Sequence, residues 1–115
     1  MTRRASLVAR LGCAALLAMA VGACSGLPEP QPADAAWASQ RWPDMSLQRL
    51  KLGRELYANK CSGCHVLKSP ESVAPEAWAA QVADMRTKMG SELGADEAEL
   101  IVRYLVTAGR RRQGG

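Results

Sequence analysis

Two cysteines and a histidine stand in the order C-x-x-C-H, as Cys61, Cys64 and His65. This spacing is the attachment pattern for a covalently bound haem. The two thiols add across the porphyrin vinyl groups to form thioethers, and the next residue presents an imidazole to the iron. Gly63 allows the chain to turn tightly against the porphyrin. The motif therefore predicts one c-type haem, with His65 as the proximal axial ligand.

Other uses of the same residues explain the sequence less well. A redox-active C-x-x-C dithiol normally lies in a βαβ unit, and no segment shows the alternation of a half-buried strand. A zinc site requires three or four protein ligands, but His65 is the only histidine, and Cys13 and Cys24 lie in the N-terminal segment. A disulfide between Cys61 and Cys64 would leave the adjacent His65 without a role.

The second axial ligand is expected to be a methionine, because no second histidine is present and thioether sulfur is an established haem ligand. Met45 precedes the first predicted helix and is the least suitable. Met85 and Met89 are four residues apart and share a helical stripe with Trp78 and Val82. Both are also compatible with core packing, since methionine fills irregular gaps. The residues alone do not decide whether Met85 or Met89 is the second axial ligand.

The periodicity of apolar residues predicts three helices, over residues 46–59, 75–89 and 96–109. Ser46 is expected to cap the first, and Gly109 to end the last. The predicted domain, residues 44–109, is all-α. A domain of this size buries barely enough apolar surface to fold without a metal, disulfides or another stabilising group. A large apolar cofactor is therefore expected to complete its core.

Residues 1–23 have the order of an export signal: a basic start, an apolar run over residues 11–21, and small residues before Cys24. The run is too short for a spanning helix, although a retained membrane anchor is the alternative. The segment 21–24 resembles the bacterial lipoprotein cleavage box, which implies acylation of Cys24. Ser25 stands where an aspartate would direct a lipoprotein to the inner membrane, so the outer membrane is favoured.

Residues 24–43 are rich in proline and alanine and are expected to form an extended tether. Trp37 and Trp42 are unusual in a tether; packing on the domain and contact with the membrane interface are both left open. The tail 110–115 begins with three arginines and is expected to be solvated.

The formal net charge is +4, but three of the fifteen basic residues lie in the export signal. The remaining 12 Lys and Arg oppose 11 Asp and Glu, which gives +1. A near-neutral protein has no basic surface for nucleic acid, so no nucleic-acid partner is expected.

A helix with Gly53 and Tyr57, then C-x-x-C-H, then a C-terminal helix with Tyr104 and Leu105 resembles the cytochrome c superfamily. The resemblance covers residues 46–108. It implies a compact cytochrome c fold, in which the first and last helices cross through a contact between a glycine and an aromatic residue. Gly53, Tyr57 and Tyr104 occupy the matching positions.

Within that superfamily the chain is similar to compact bacterial monohaem cytochromes, including subunits that serve sulfite dehydrogenases. In these proteins a methionine follows a tryptophan at the spacing of Trp78 and Met85. The resemblance implies Met85 as the distal ligand, with Met89 or an open site as alternatives. It also implies that a proline carbonyl, Pro70 or Pro75, accepts a hydrogen bond from His65.

The expected function is single-electron transfer outside the cytoplasm by a lipid-anchored monohaem protein on the periplasmic side of a bacterial membrane. The protein is expected to be a carrier between a redox donor and an acceptor, not an enzyme. Two alternatives remain: a haem subunit fixed in an oxidoreductase complex, and a sensor that binds a gas or peroxide at an open sixth position.

Overall fold

The computed structural model describes residues 26–62 and 67–113. The predicted export signal and the acylation site Cys24 lie outside these ranges. The described residues form four α-helices and no strand: α1 (Pro32–Arg41), α2 (Leu47–Cys61), α3 (Trp78–Met89) and α4 (Ala95–Gln113). Short 3₁₀ turns lie at Pro70–Ser72, Pro75–Ala77 and Gly90–Glu92. The prediction of an all-α fold is confirmed.

The crossing of α2 and α4 organises the fold. A Cβ atom at Gly53 would overlap the Leu100 carbonyl oxygen and lie 2.9 Å from the Tyr104 Cβ. Only a glycine therefore allows the two helices to approach this closely. The expected contact between a glycine and an aromatic residue is present at this crossing.

The start of α2 follows from its cap. The Ser46 hydroxyl accepts a hydrogen bond from the Arg49 backbone N–H at 3.2 Å, as predicted for an N-cap serine. The helix continues to Cys61, two residues beyond the predicted end. The first cysteine of the C-x-x-C-H motif therefore lies in the last turn of a helix that is packed into the core.

The predicted end of α4 at Gly109 is wrong, because the helix continues to Gln113. Gly109 is buried inside the helix, where a Cβ atom would lie 2.7 Å from the Pro70 carbonyl oxygen. This glycine serves close packing and does not cap the helix. The next residue, Arg110, pairs with Asp34 at 3.0 Å, so the basic tail is not solvated at its first residue.

The predicted tether is also wrong for the described residues 26–43, because they fold onto the domain. Pro32 occupies the first turn of α1, and a capping box joins Gln31 and Asp34: the Gln31 backbone N–H donates to Asp34 Oδ2 at 2.7 Å. Asp34 and Ala38 are buried. Pro32 therefore marks the start of a helix and not an extended linker.

Trp37 and Trp42 pack on the domain. Their rings meet edge to face with centroids 6.3 Å apart, and the Arg41 guanidinium lies over both. Arg110 of α4 lies 4.8 Å from the centroid of the Trp37 ring. None of the helices in the described ranges is long and apolar enough to cross a membrane.

Two apolar clusters form the core. The smaller consists of Ala38, Met45, Leu50 and Leu100, between α1, α2 and α4. The larger includes Tyr57, Trp78, Leu93, Ile101, Tyr104 and Leu105. The larger cluster forms the floor of the candidate site.

Candidate functional site

A cleft of about 530 Å³ lies between the C-terminal end of α2, the chain that follows the motif, and α3. Its apolar lining includes Tyr57, Cys61, Trp78, Val82, Met85 and Leu93. The volume lies within the range of about 300–1,000 Å³ that is usual for small-molecule and cofactor sites.

The first cysteine of the motif, Cys61, lines this cleft. Cys61 is half-buried at the end of α2, and burial raises the pKa of its thiol. Cys64 and His65 lie outside the described residues, but Cys61 and Leu67, on either side of them in the sequence, both line the cleft. The thioether and iron-ligand roles of Cys64 and His65 remain predictions.

The structure distinguishes the three methionines that were considered as distal ligands. Met85 lines the cleft together with Cys61. Met89, one turn later on α3, packs against the larger apolar cluster and is not part of the cleft lining. Met45 is buried in the smaller cluster. Among these three, Met85 has the position that the predicted ligand requires, although ligation itself remains a prediction.

Trp78 fixes the loop after the motif to the core. The indole is buried, with 3% of its surface exposed, and its Nε1 donates a hydrogen bond to the Pro70 carbonyl at 3.0 Å. Gly109 lets the same Pro70 carbonyl approach α4. The sequence places Trp78 on the same helical stripe as Met85 but gives no sign of this hydrogen bond, because its acceptor is a backbone atom.

The carbonyl oxygens of the two prolines proposed as partners of His65 both accept a hydrogen bond from another residue. Trp78 donates to both carbonyls, through its indole Nε1 to Pro70 and through its backbone N–H to Pro75. A carbonyl oxygen has two lone pairs, so each can still accept a second hydrogen bond. Because His65 lies outside the described residues, the choice between Pro70 and Pro75 remains open.

Tyr57 forms a second connection between α2 and the loop. Its hydroxyl donates to the Lys68 carbonyl at 2.7 Å, and its ring meets Trp78 edge to face at 6.2 Å. Burial raises the pKa of Tyr57. Tyr57 therefore remains a neutral donor at ordinary pH and holds the loop beside the cleft.

The rim of the cleft carries few charges of mixed sign. Lys68 and Asp84 are exposed there, and Gln81 lies beside them. Asp84 pairs with Lys88 at 2.7 Å, one turn further along α3. No strong field of one sign surrounds the cleft in the described part of the chain.

The cleft suits a haem. An apolar wall would exclude water from a porphyrin, Cys61 supplies a sulfur for a thioether, and Met85 supplies a sulfur suited to iron. Sequence analysis did not identify Leu67 and Leu93 as parts of this wall. Both lie in loops between helices, where no periodicity reveals burial.

The family model described as dihaem cytochrome c matches residues 57–114. The match begins at Tyr57 in the cleft wall, includes the whole C-x-x-C-H motif, and extends beyond the end of α4. No curated protein and no solved structure matches the chain.

Proposed function

The chain belongs to the dihaem cytochrome c family, and we propose that it transfers single electrons through one haem bonded at Cys61, Cys64 and His65. It is a c-type cytochrome, and the chemistry of the family is haem-based electron transfer. The observation that carries the proposal is the meeting of the motif and the apolar cleft at Cys61.

The family description names two haems, whereas this sequence contains one C-x-x-C-H motif and one histidine. Each covalent attachment of this kind uses one such motif. We therefore propose one haem for these 115 residues. Mass spectrometry of the purified protein tests this number directly, because each attached haem adds its full mass to that of the polypeptide.

The bound haem supplies a one-electron couple between ferric and ferrous iron. The residues of the chain keep the site rigid and dry. Trp78 and Tyr57 hold the loop through hydrogen bonds to backbone carbonyls, so few side chains have to move when the charge changes. Val82 and Leu93 exclude water from the inner wall. The mixed charges at the rim favour brief docking of redox partners without strong electrostatic steering.

Replacing Met85 by leucine is expected to remove the distal sulfur while nearly conserving side-chain volume. The ferric protein should lose the weak far-red absorption band that is typical of methionine sulfur bonded to haem iron. The reduction potential should also fall, since axial ligands set haem potentials over about 0.8 V. The measurements are a ferric absorption spectrum and a redox titration.

Met89→Leu is the matched control, because it makes the same change one turn away on α3. It should leave both the band and the potential unchanged. Loss of the band in Met89→Leu alone would assign the ligand to Met89. A high-spin spectrum that neither variant changes would contradict methionine ligation and favour an open sixth position.

We also propose that the protein is exported and held on the periplasmic side of a membrane by acylation of Cys24. The support is the lipoprotein-like segment 21–24, which follows the export-signal pattern of residues 1–23. Its redox partners would be proteins of the same compartment. Purification with a stoichiometric partner would instead indicate a fixed subunit of a complex.

Replacing Cys24 by alanine is expected to move nearly all of the protein from the membrane fraction to the soluble fraction. Each buried CH₂ of an acyl chain contributes about 0.8 kcal/mol to membrane binding, so loss of the chains removes the anchor. Cys13→Ala, within the predicted signal, is the control and should remain membrane-bound. Equal membrane retention of both variants would contradict acylation at Cys24.

A further inference from the structure

We propose that the haem domain is held directly against the lipid surface by a short connection at its N-terminus. The proposal rests on the acylation of Cys24 proposed above. It reverses the sequence-based expectation of a long tether, and it follows from how residues 27–45 are packed.

Packing begins at Leu27. This side chain is only 7% exposed and belongs to the larger apolar cluster. Its carbonyl oxygen accepts hydrogen bonds from the Arg54 guanidinium, from Nε at 3.3 Å and from Nη2 at 3.2 Å. Arg54 also pairs with Glu29 at 3.3 Å. The start of the segment is therefore fixed to α2 by its backbone and by side chains.

The segment is next fixed to α4. The Tyr104 hydroxyl donates to the Pro28 carbonyl at 2.8 Å. The Asp34 carboxylate, 4% exposed, pairs with Arg110 at 3.0 Å. Because the Arg110 guanidinium compensates the burial of this carboxylate, the buried pair links the start of α1 to α4. Residues 27–45 therefore belong to the folded domain.

This packing leaves a very short connection to the lipid. Only Ser25 and Gly26 separate Cys24 from Leu27, so an extended chain spans at most about 11 Å between them. A tether of residues 24–43 in polyproline II conformation would reach roughly 60 Å. Docking of the segment shortens the reach about five-fold.

The connection also lies near the motif. Leu27 is held by Arg54, which precedes Cys61 by seven residues on the same helix. Seven residues of α-helix span about 10 Å. The described part of the segment therefore starts beside α2, the helix that carries the first haem-bonding cysteine. A redox partner that approaches the cleft would itself lie at the membrane surface.

The first test measures the distance between the haem and the lipid headgroups. Purified lipidated protein is incorporated into phospholipid vesicles that carry a headgroup fluorophore, and quenching of this fluorophore by the haem is recorded. Insertion of about 16 Gly/Ser residues after Ser25 should weaken quenching at least about two-fold, because the linker adds roughly 20–24 Å of mean reach. The same insert appended after Gly115 should leave quenching unchanged.

The outcomes separate the two proposals. If the wild-type protein does not enter vesicles, acylation fails and the inference fails with it. If the protein enters vesicles but the insertion after Ser25 leaves quenching unchanged, the anchor stands and the close docking is wrong.

A second test requires neither lipid nor haem signal. Arg41 is exposed in the last turn of α1 and is a trypsin site that docking should protect. Asp34→Ala should accelerate cleavage after Arg41 at least about ten-fold, because proteolysis follows the population of the opened form. Asp96→Ala, an exposed aspartate in the first turn of α4, is the control and should cause little change. Rapid cleavage of the wild-type protein after Arg41 would overturn the inference.

Discussion

Replacing Cys61 and Cys64 together by alanine is expected to abolish both the haem and cooperative folding. The cleft beside Cys61 has a volume of about 530 Å³ and is lined by core residues such as Trp78 and Leu93. A protein unable to bond the porphyrin would leave this apolar wall to water or collapse around it.

The size of the cleft determines how much stability the double variant is expected to lose. A loss of about 24 cal/mol per Å³ of residual cavity corresponds to roughly 13 kcal/mol of destabilisation for a cleft of this volume. This value is an upper limit, because the cleft is open to solvent and can partly collapse. Domains of this size have total stabilities of about 5–15 kcal/mol. Half of the upper limit, roughly 6 kcal/mol, would exceed the low end of this range, where a domain of this small size is expected to lie, and would unfold most of the protein.

Absorption and circular dichroism measure the two parts of this result. The double variant should have no Soret band and no cooperative thermal transition in the far-ultraviolet signal. Cys24→Ala, which removes a cysteine outside the described domain, should retain both signals. A double variant with native helix content and a sharp melting transition would show that the polypeptide core is sufficient without the porphyrin.

The elements predicted correctly have local signals. Ser46 caps α2 through a neighbour three residues away, and the stripe of Trp78, Val82 and Met85 follows one helix face. Such patterns can be recognised from a short window of sequence. The all-α fold and the helical stripe that contains Met85 could therefore be anticipated.

The elements predicted wrongly depend on distant partners. The N-cap of α1 is Gln31, which is not among the residues preferred there. The buried Asp34 of α1 is compensated by Arg110, 76 residues away in the sequence. Nothing near residues 26–43 indicates that partner, so their prolines suggested a linker. Gly109 looked like a helix end, and only the approach of Pro70 shows that it serves packing.

The choice of methionine in the site also depends on contacts that a local sequence pattern does not reveal. Met85 and Met89 share a helix face, so periodicity could not choose between them. The packing of α3 on α4 places Met89 against the core and Met85 in the cleft. The family resemblance favoured Met85 for an independent reason, the spacing from Trp78, and the position of Met85 agrees with it.

Gly53→Ala is expected to destabilise the protein by roughly 2 kcal/mol or more, which is the upper part of the range for overpacked cores. Alanine is intrinsically better than glycine in a helix by about 1 kcal/mol, so a loss of stability can only come from the tertiary contact. The added methyl group would overlap the Leu100 carbonyl and press on the Tyr104 Cβ. Both are atoms of a rigid helix, not the free end of a flexible side chain, so α2 and α4 would have to move apart.

Gly94→Ala is the matched control for this prediction. Its added methyl group would meet only the Glu97 side chain, at 3.7 Å, and its change in stability should stay below about 1 kcal/mol. Thermal unfolding of the haem-bound proteins measures both variants, and Gly53→Ala should lower the Tm by about 8 °C or more. If Gly53→Ala were as stable as Gly94→Ala, the two helices could not cross at this glycine. The cleft, whose Tyr57 follows Gly53 by one turn of α2, would then be differently shaped.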